Sequence, residues 1–277
     1  MGLASTPLQD SASFDFNDWY GQTTRSAITS VLHQYQNNSG GDVTATTMSP
    51  PILTRRIVWM TGCFSSTLSR ETKIYEDFLR ILMHHSDLVL RLTTLQTLSS
   101  ILNSFSDGAL PSIELSRASI EAFYALADSC DEIDSQNLAL EGAGLVLAFI
   151  TGMGHDLNKD AANAAVAPLP GLWDSSSSSD RIGLRKHALS ILSLVAIGVE
   201  TEEVQLLHPI AVPIIDSTLD PRNTNQHSHL VRDALGLWLT MLRLENQYPT
   251  ELVGLFRRAG DLLNMDFEHF FTVELYR

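Results

Sequence analysis

Cysteine and basic residues are scarce in this chain. Its 277 residues include two cysteines, Cys63 and Cys130, which lie far apart and form no CxxC spacing. We therefore predict neither a zinc site nor a disulfide framework, and a reducing intracellular compartment fits this usage. Lysine and arginine together number 18 against 32 acidic residues, so the formal net charge is −14. Because this charge repels a phosphate backbone, we do not expect nucleic acid to be a direct partner.

The acidic excess leaves two interpretations open. It favours basic partners if the charge takes part in recognition, and otherwise it only keeps the protein soluble.

Long apolar runs are also missing. The stretch 138–150 is shorter than the roughly 20 residues that a membrane-spanning helix needs, and it contains Glu141. We therefore expect no membrane insertion.

Signatures of catalysis are absent as well. The sequence contains no GxGxxG, GxxxxGK[ST], HExxH or GxSxG motif. His227 and His229 are two positions apart, so on a helix they point about 200° away from each other and cannot share a metal ion. We predict no catalytic residues, no cofactor and no metal site, and hence a protein that is not an enzyme.

The clearest positive signal is a repeated helical pattern. Three segments, 88–98, 182–192 and 229–239, can be aligned with an arginine in register, and each has a leucine seven positions after that arginine. Seven residues are close to two helical turns, so each pair lies on one side of a helix. Units of roughly 40 to 47 residues with two helices must stack on their neighbours to bury their apolar faces. The pattern predicts an all-α fold, an α–α superhelix of the HEAT or armadillo kind with about six helix pairs.

The predicted organisation is one repeat array that covers residues 14–277. Residues 1–13 are small and polar and are predicted to be disordered, and loops rich in Ser, Gly, Asn or Pro are expected near 37–51 and 174–180. We call the two helices of a pair A and B. The B helices are expected to begin 35 to 48 residues apart, near Ile52, Asp87, Ser135, Asp180 and His227.

Three stretches carry a resemblance to a known family: RRIVWMTG at 55–62, LHPIAVPIIDSTLD at 207–220 and VRDALGLWLTML at 231–242. Together they resemble the importin-beta (karyopherin) superfamily, and within it the middle-to-C-terminal HEAT repeats of the importin-eleven branch. The resemblance implies a nuclear transport receptor that binds protein cargo, phenylalanine-glycine repeats of pore proteins and the Ran GTPase, and that moves between nucleus and cytoplasm. The family's main Ran-binding repeats have no counterpart in the resemblance, which implies a partial receptor.

Two other functions stay open at this point. A HEAT-repeat scaffold or adaptor that assembles a complex outside nuclear transport would show the same helical pattern. A helical enzyme whose site has no sequence signature is the third alternative. Retention on phenylalanine-glycine peptides separates the receptor from the scaffold.

Candidate residues fall into structural and partner-binding sets. Arginines early in B helices are expected to bond to an acid or carbonyl of the neighbouring repeat, and tryptophans among apolar residues are expected in the core. These structural repeat positions are Arg56, Arg91, Arg185, Arg232, Trp59 and Trp238. The partner-binding candidates are acids that would contact a basic cargo: Glu141 and Asp233 on B helices, and Asp131, Glu132, Asp134, Glu202 and Glu203 in turns.

Overall fold

The computed structural model describes residues 18, 51–64, 76–81, 85, 87–104, 113–152, 157–176, 181–220, 222, 224–245 and 249–264. Several predicted features lie outside the described residues: the disordered segment 1–13, the start of the repeat array at 14–36 apart from residue 18, the loop at 37–50 and the end of the array at 265–277. Of the loop predicted near 174–180, residues 177–180 lie outside them too.

The regular structure in the described ranges is helical, and no strand occurs there. The prediction of an all-α fold built from packed helix pairs is confirmed for these ranges. Ten α-helices carry the fold: α1 (Pro51–Cys63), α2 (Leu88–Ser104), α3 (Ile113–Asp128), α4 (Ile133–Gly152), α5 (Lys159–Val166), α6 (Leu169–Ser175), α7 (Ile182–Gly198), α8 (His208–Leu219), α9 (Thr224–Leu244) and α10 (Thr250–Asn264). Residues 76–81 are also helical.

The chain divides into two compact units, Met1–Met153 and Gly154–Arg277. In the first unit, helix α2 packs against both α1 and α4, and α3 packs against α4. The contact between α1 and α2 is close, because the Thr97 hydroxyl donates to the Val58 carbonyl at 2.9 Å. A Cβ added to Gly62 would lie only 3.1 Å from Thr97 Oγ1. Glycine therefore permits this approach of the two helices.

The start of α2 is fixed by Asp87. Its Oδ1 accepts hydrogen bonds from the amides of Val89 and Leu90 at 3.0 and 3.3 Å, as an N-cap side chain does. Arg55 on α1 donates to both carboxylate oxygens of Asp87, with a shortest distance of 2.6 Å. Burial raises the pKa of Asp87, but the Arg55 and amide hydrogen bonds outweigh it, so the pKa lies below its ordinary value.

The second unit has the contact pattern of stacked repeats. Helices α7 and α9, which correspond to B helices, pack on each other, while the A helices α6, α8 and α10 form a second row in which α8 contacts both others. Pairs are closed by contacts of α6 with α7 and of α8 with α9. Contacts within each row and between the two helices of a pair are what a helical-repeat array requires.

Prolines set two helix boundaries in this unit. Residues 159–175 form two helices, α5 and α6, because Pro168 and Pro170 interrupt the hydrogen-bond ladder between them. The next A helix begins with a 3-10 turn, Thr201–Leu207, and becomes α-helical at His208. Pro209 has no amide hydrogen to donate to the Gln205 carbonyl, so the α-helix cannot extend back through it.

Candidate partner-binding surfaces

The arginine candidates occupy different environments. Arg185 is buried, donates from Nη2 to the Trp173 carbonyl at 3.0 Å, and lies 4.6 Å from the centroid of the Trp173 ring. Burial lowers the pKa of Arg185, and the charge of Asp174 opposes that shift. These contacts join α6 to α7, so Arg185 acts within the fold.

Of the other repeat arginines, Arg91 on α2 donates to the Ser129 hydroxyl at 3.0 Å. Arg232 is exposed on α9. Arg56 is exposed as well, and the ion pair to α2 is made by its neighbour Arg55. On a helix the two side chains point about 100° apart, and the one that faces α2 is Arg55.

The tryptophan candidates differ in burial. Trp59 on α1 is half-buried, whereas Trp238 on α9 is 4% exposed. The indole Nε1 of Trp238 donates to the Leu252 carbonyl of α10 at 2.9 Å. Its ring meets Phe256 edge-on, with centroids 4.7 Å apart. Trp238 thus satisfies its one polar group while it joins α9 to α10.

The acidic candidates lie at the surface of both units. In the first unit Asp131, Glu132 and Asp134 follow the end of α3 and start α4, and all three are exposed, as is Glu141 further along α4. In the second unit Glu202 is exposed, whereas Glu203 and Asp233 are half-buried. The described residues contain no group of three or more His, Cys, Asp or Glu side chains that would hold a metal ion. Nor is any helix in that part of the chain long and apolar enough to cross a membrane.

A surface that the candidate residues do not include lies on helix α8 and the turn before it. Leu206, Pro209 and Pro213 are exposed on the side opposite the buried residues Ala211 and Ile215. Leu206 exposes 55% of its area. Half-buried Ile210 borders the three, and we call these four residues the α8 surface.

The α8 surface combines apolar area with one free backbone acceptor. No acidic or basic residue falls between Glu203 and Asp216 apart from His208, which is turned inward to bond Glu245, the residue after α9. Pro213 cannot donate to the carbonyl four residues before it, which belongs to Pro209. That carbonyl is therefore left without its partner in the helix ladder, on an exposed side of an A helix.

Comparison with known families gives a match in the second unit. Residues 189–273 match the family model described as "Importin-11-like, TPR repeats". The resemblance to importin-11-like repeats is thereby confirmed over that span. The matched span contains most of α7, the whole of α8, α9 and α10, and the α8 surface. TPR and HEAT units are both antiparallel helix pairs, so the family description and the observed packing agree. No curated protein and no solved structure matches the chain significantly.

Proposed function

We propose that this chain is part of an importin-type nuclear transport receptor, which binds protein cargo and the phenylalanine-glycine repeats of nuclear pore proteins. The match of residues 189–273 to importin-11-like repeats supports this proposal. Arrays of helical repeats typically serve binding rather than catalysis, because their extended surfaces accommodate other chains. Such a receptor would move between cytoplasm and nucleus. We propose a partial receptor that lacks the main Ran-binding repeats. Ran is therefore a partner suggested by the family, and we propose no Ran-binding site on this chain.

The α8 surface is our proposed contact for pore repeats. A phenylalanine side chain gains stability when an apolar surface covers it, by about 1.5–3 kcal/mol at full burial and less in a shallow groove. Leu206, Pro209 and Pro213 offer such a surface on an A helix, and the Pro209 carbonyl can accept a backbone amide of the bound peptide. The stretch 204–215 contains no acidic or basic residue apart from His208, which suits a peptide that carries little charge.

Weak single contacts fit the task of a transport receptor. One shallow phenylalanine contact dissociates quickly, whereas several contacts on one chain raise the overall affinity through effective concentration. A receptor that holds the pore repeats through many such contacts stays associated while each contact exchanges.

Binding to an immobilised phenylalanine-glycine repeat peptide tests the proposal. We expect the parent chain to be retained and Leu206→Ser to reduce retention several-fold, since it removes the exposed centre of the apolar area. Ile197→Ser is the matched control, because Ile197 is 56% exposed and belongs to a different helix, α7. Equal retention of the two variants would refute the α8 surface as the contact.

The same experiment distinguishes the receptor from a scaffold. A chain that does not bind the repeat peptide but co-purifies with an unrelated stable complex is a HEAT-repeat scaffold or adaptor. A chain that binds the peptide, and that an analogue with serine in place of phenylalanine displaces no better than buffer does, depends on the phenylalanine rings as a receptor does.

Cargo binding is assigned to acids on B helices. We propose that Glu141 on α4 and Asp233 on α9 contact a basic cargo, and that the turn acids Asp131, Glu132, Asp134, Glu202 and Glu203 add long-range attraction. The net charge of −14 supports a basic partner.

A further inference from the structure

A histidine lies just before α2 and bonds to the residue that caps this helix. His85 is half-buried and outside regular structure. Its ring nitrogen Nδ1 accepts a hydrogen bond from the Asp87 amide at 3.0 Å. Because an amide can only donate, Nδ1 must offer a lone pair, and the single ring proton of His85 is then on Nε2. This hydrogen bond therefore exists only while His85 is neutral.

Asp87, the residue to which His85 bonds, holds two helices at once. Its Oδ1 accepts from the amides of the first turn of α2, and both of its carboxylate oxygens accept from Arg55 of α1. The His85 ring is thus one of three side chains that meet where α1 approaches the start of α2. We call Arg55, His85 and Asp87 the α1–α2 clamp.

A proton on Nδ1 of His85 would disturb the clamp in two ways. It would remove the acceptor of the Asp87 amide, and it would place a second positive charge near the Asp87 carboxylate, in competition with Arg55. Both Asp87 and Arg55 act on the charge of His85, the first favouring protonation and the second opposing it. On the preceding helix, Asp77 and Arg80 lie 3.7 Å apart and offset each other.

The surroundings of His85 favour its neutral form. Burial is the largest influence and lowers the pKa of His85, Asp87 raises this pKa, and Arg55 lowers it further, so that it lies below its ordinary value. In an opened, hydrated segment the pKa of a histidine is about 6.5. The opened form therefore binds a proton more readily than the closed form. The closed clamp has its full stability above about pH 6.5 and loses stability as pH falls below that value.

His85 is the member of the clamp that titrates in mild acid. Hydrogen bonds from Arg55 and from the α2 amides keep the pKa of Asp87 below its ordinary value of about 3.9, so Asp87 stays ionised at pH 5. Arginine stays protonated throughout this range. A change in the clamp between pH 7 and pH 5 therefore follows the charge of His85.

We propose that the α1–α2 clamp is a proton-sensitive switch, in which protonation of His85 releases the Asp87 amide and loosens the start of α2 from α1. Neutral His85 keeps the clamp closed at pH 7, and mild acid opens it. The switch lies within the first unit and does not depend on the proposed receptor function. It shares no residue with the α8 surface or with the acids assigned to cargo.

Two variants of the full chain separate the hydrogen bond of His85 from its titration. In His85→Asn, the side-chain oxygen can accept from the amide two residues on, as Nδ1 does, but the side chain does not titrate. His85→Ala removes the acceptor at every pH. The readout is hydrogen exchange, followed by NMR, at the amides of Val89, Leu90 and Arg91, all of which donate to Asp87. Protection factors remove the intrinsic pH dependence of exchange.

We expect the parent protection factors at these three amides to fall at least about threefold between pH 7 and pH 5, because opening becomes linked to proton uptake by His85. In His85→Asn they should stay within about twofold of their pH 7 values. In His85→Ala they should already be low at pH 7. The imidazole of His85, followed by NMR in the parent chain, should titrate below about pH 6.5.

Three results would overturn the switch. The first is a parent clamp whose protection factors do not change between pH 7 and pH 5. The second is an equal fall in His85→Asn, which would assign the pH dependence to other groups. The third is titration of the parent His85 imidazole at or above about pH 6.5. The first and third measurements use the parent chain alone, so they decide the matter even if a variant fails to fold.

Discussion

The guanidinium of Arg185 lies over the ring of Trp173, 4.6 Å from its centroid, and donates to the main-chain carbonyl of that same residue at 3.0 Å. One side chain at the start of α7 thus holds both the ring and the backbone of α6. Helix α6 has only seven residues, too few to be stable alone. Its position in the second unit therefore depends on this contact and on the burial of Leu169 and Trp173.

Removing Arg185 should destabilise the protein markedly. We expect Arg185→Ala to lower the free energy of unfolding by about 2–4 kcal/mol, because the Trp173 carbonyl loses one of its two side-chain donors, keeping the Ser176 hydroxyl, and the ring loses its packed cation. Arg185→Lys should recover only part of this loss, since an ammonium group cannot both stack as a plane and donate sideways. Urea unfolding followed by circular dichroism measures the difference. Lys186→Ala, at the exposed neighbouring position, should stay within about 0.5 kcal/mol of the parent.

Two helical glycines should respond oppositely to alanine. A Cβ at Gly62 would lie 3.3 Å from Thr97 Cα, which is backbone and cannot rotate away, whereas a Cβ at Gly144 meets nothing within 4 Å. We expect Gly62→Ala to reduce the free energy of unfolding by about 1–2 kcal/mol through overpacking between α1 and α2. Gly144→Ala should raise it by about 0.5–1 kcal/mol, because alanine is the better helix former.

Thermal and urea unfolding of both variants measure this contrast. A Gly62→Ala protein as stable as Gly144→Ala would show that α1 and α2 are not held as close as the Thr97–Val58 hydrogen bond indicates.

Periodicity was sufficient to predict the fold class, because burying one side of a helix leaves a 3.6-residue pattern in any repeat of this kind. The same pattern placed Arg185 at the start of a B helix, where it bonds a carbonyl of α6, the A helix of its own pair, and not of the neighbouring repeat. Periodicity did not distinguish Arg56 from Arg55. Both lie in the first turns of α1, and which of them faces α2 depends on the rotation of one helix against the other.

The α8 surface escaped sequence reasoning for a related reason. Leu206, Pro209 and Pro213 read as ordinary members of an apolar stretch, and only the packing of α8 shows that they point outward while Ala211 and Ile215 point inward. The presence of two prolines four positions apart, both tolerated in one short helix, was the available signal. Proline is favoured where the helix face is exposed and the lost hydrogen bond can be replaced by water or a ligand.

Charge reversal at the B-helix acids tests the cargo assignment. We expect Glu141→Arg and Asp233→Arg together to weaken binding of a lysine- and arginine-rich cargo peptide by about tenfold, with the parent affinity itself falling as salt is added. Fluorescence anisotropy of the labelled peptide measures the dissociation constant.

A charge-matched control accompanies this test. Glu251→Arg and Asp261→Arg together change two exposed acids on α10 by the same four units of charge and should have a smaller effect. Unchanged affinity in the Glu141→Arg, Asp233→Arg double variant would remove both residues from the cargo surface.

Acid stability should depend on Asp220, which follows α8. Hydrogen bonds from the Arg222 side chain and amide lower the pKa of Asp220 to about 2. In the unfolded chain the pKa of an aspartate is about 3.9. Because the folded pKa is the lower one, the carboxylate stabilises the fold fully above the unfolded value, and this contribution is lost as pH falls from about 4 towards 2.

Comparing variants across that range isolates the contribution. We expect the parent to be more stable than Asp220→Asn at pH 6, and the difference in free energy of unfolding to shrink steadily as pH is lowered through 4 towards 2. In Arg222→Ala the carboxylate loses its first donor and its pKa rises towards the unfolded value, so the loss of stability on acidification should be smaller than in the parent and should end at a higher pH. Urea unfolding at closely spaced pH values measures both effects. A parent-to-Asn difference that stays constant down to pH 2 would contradict a stabilising Asp220–Arg222 pair.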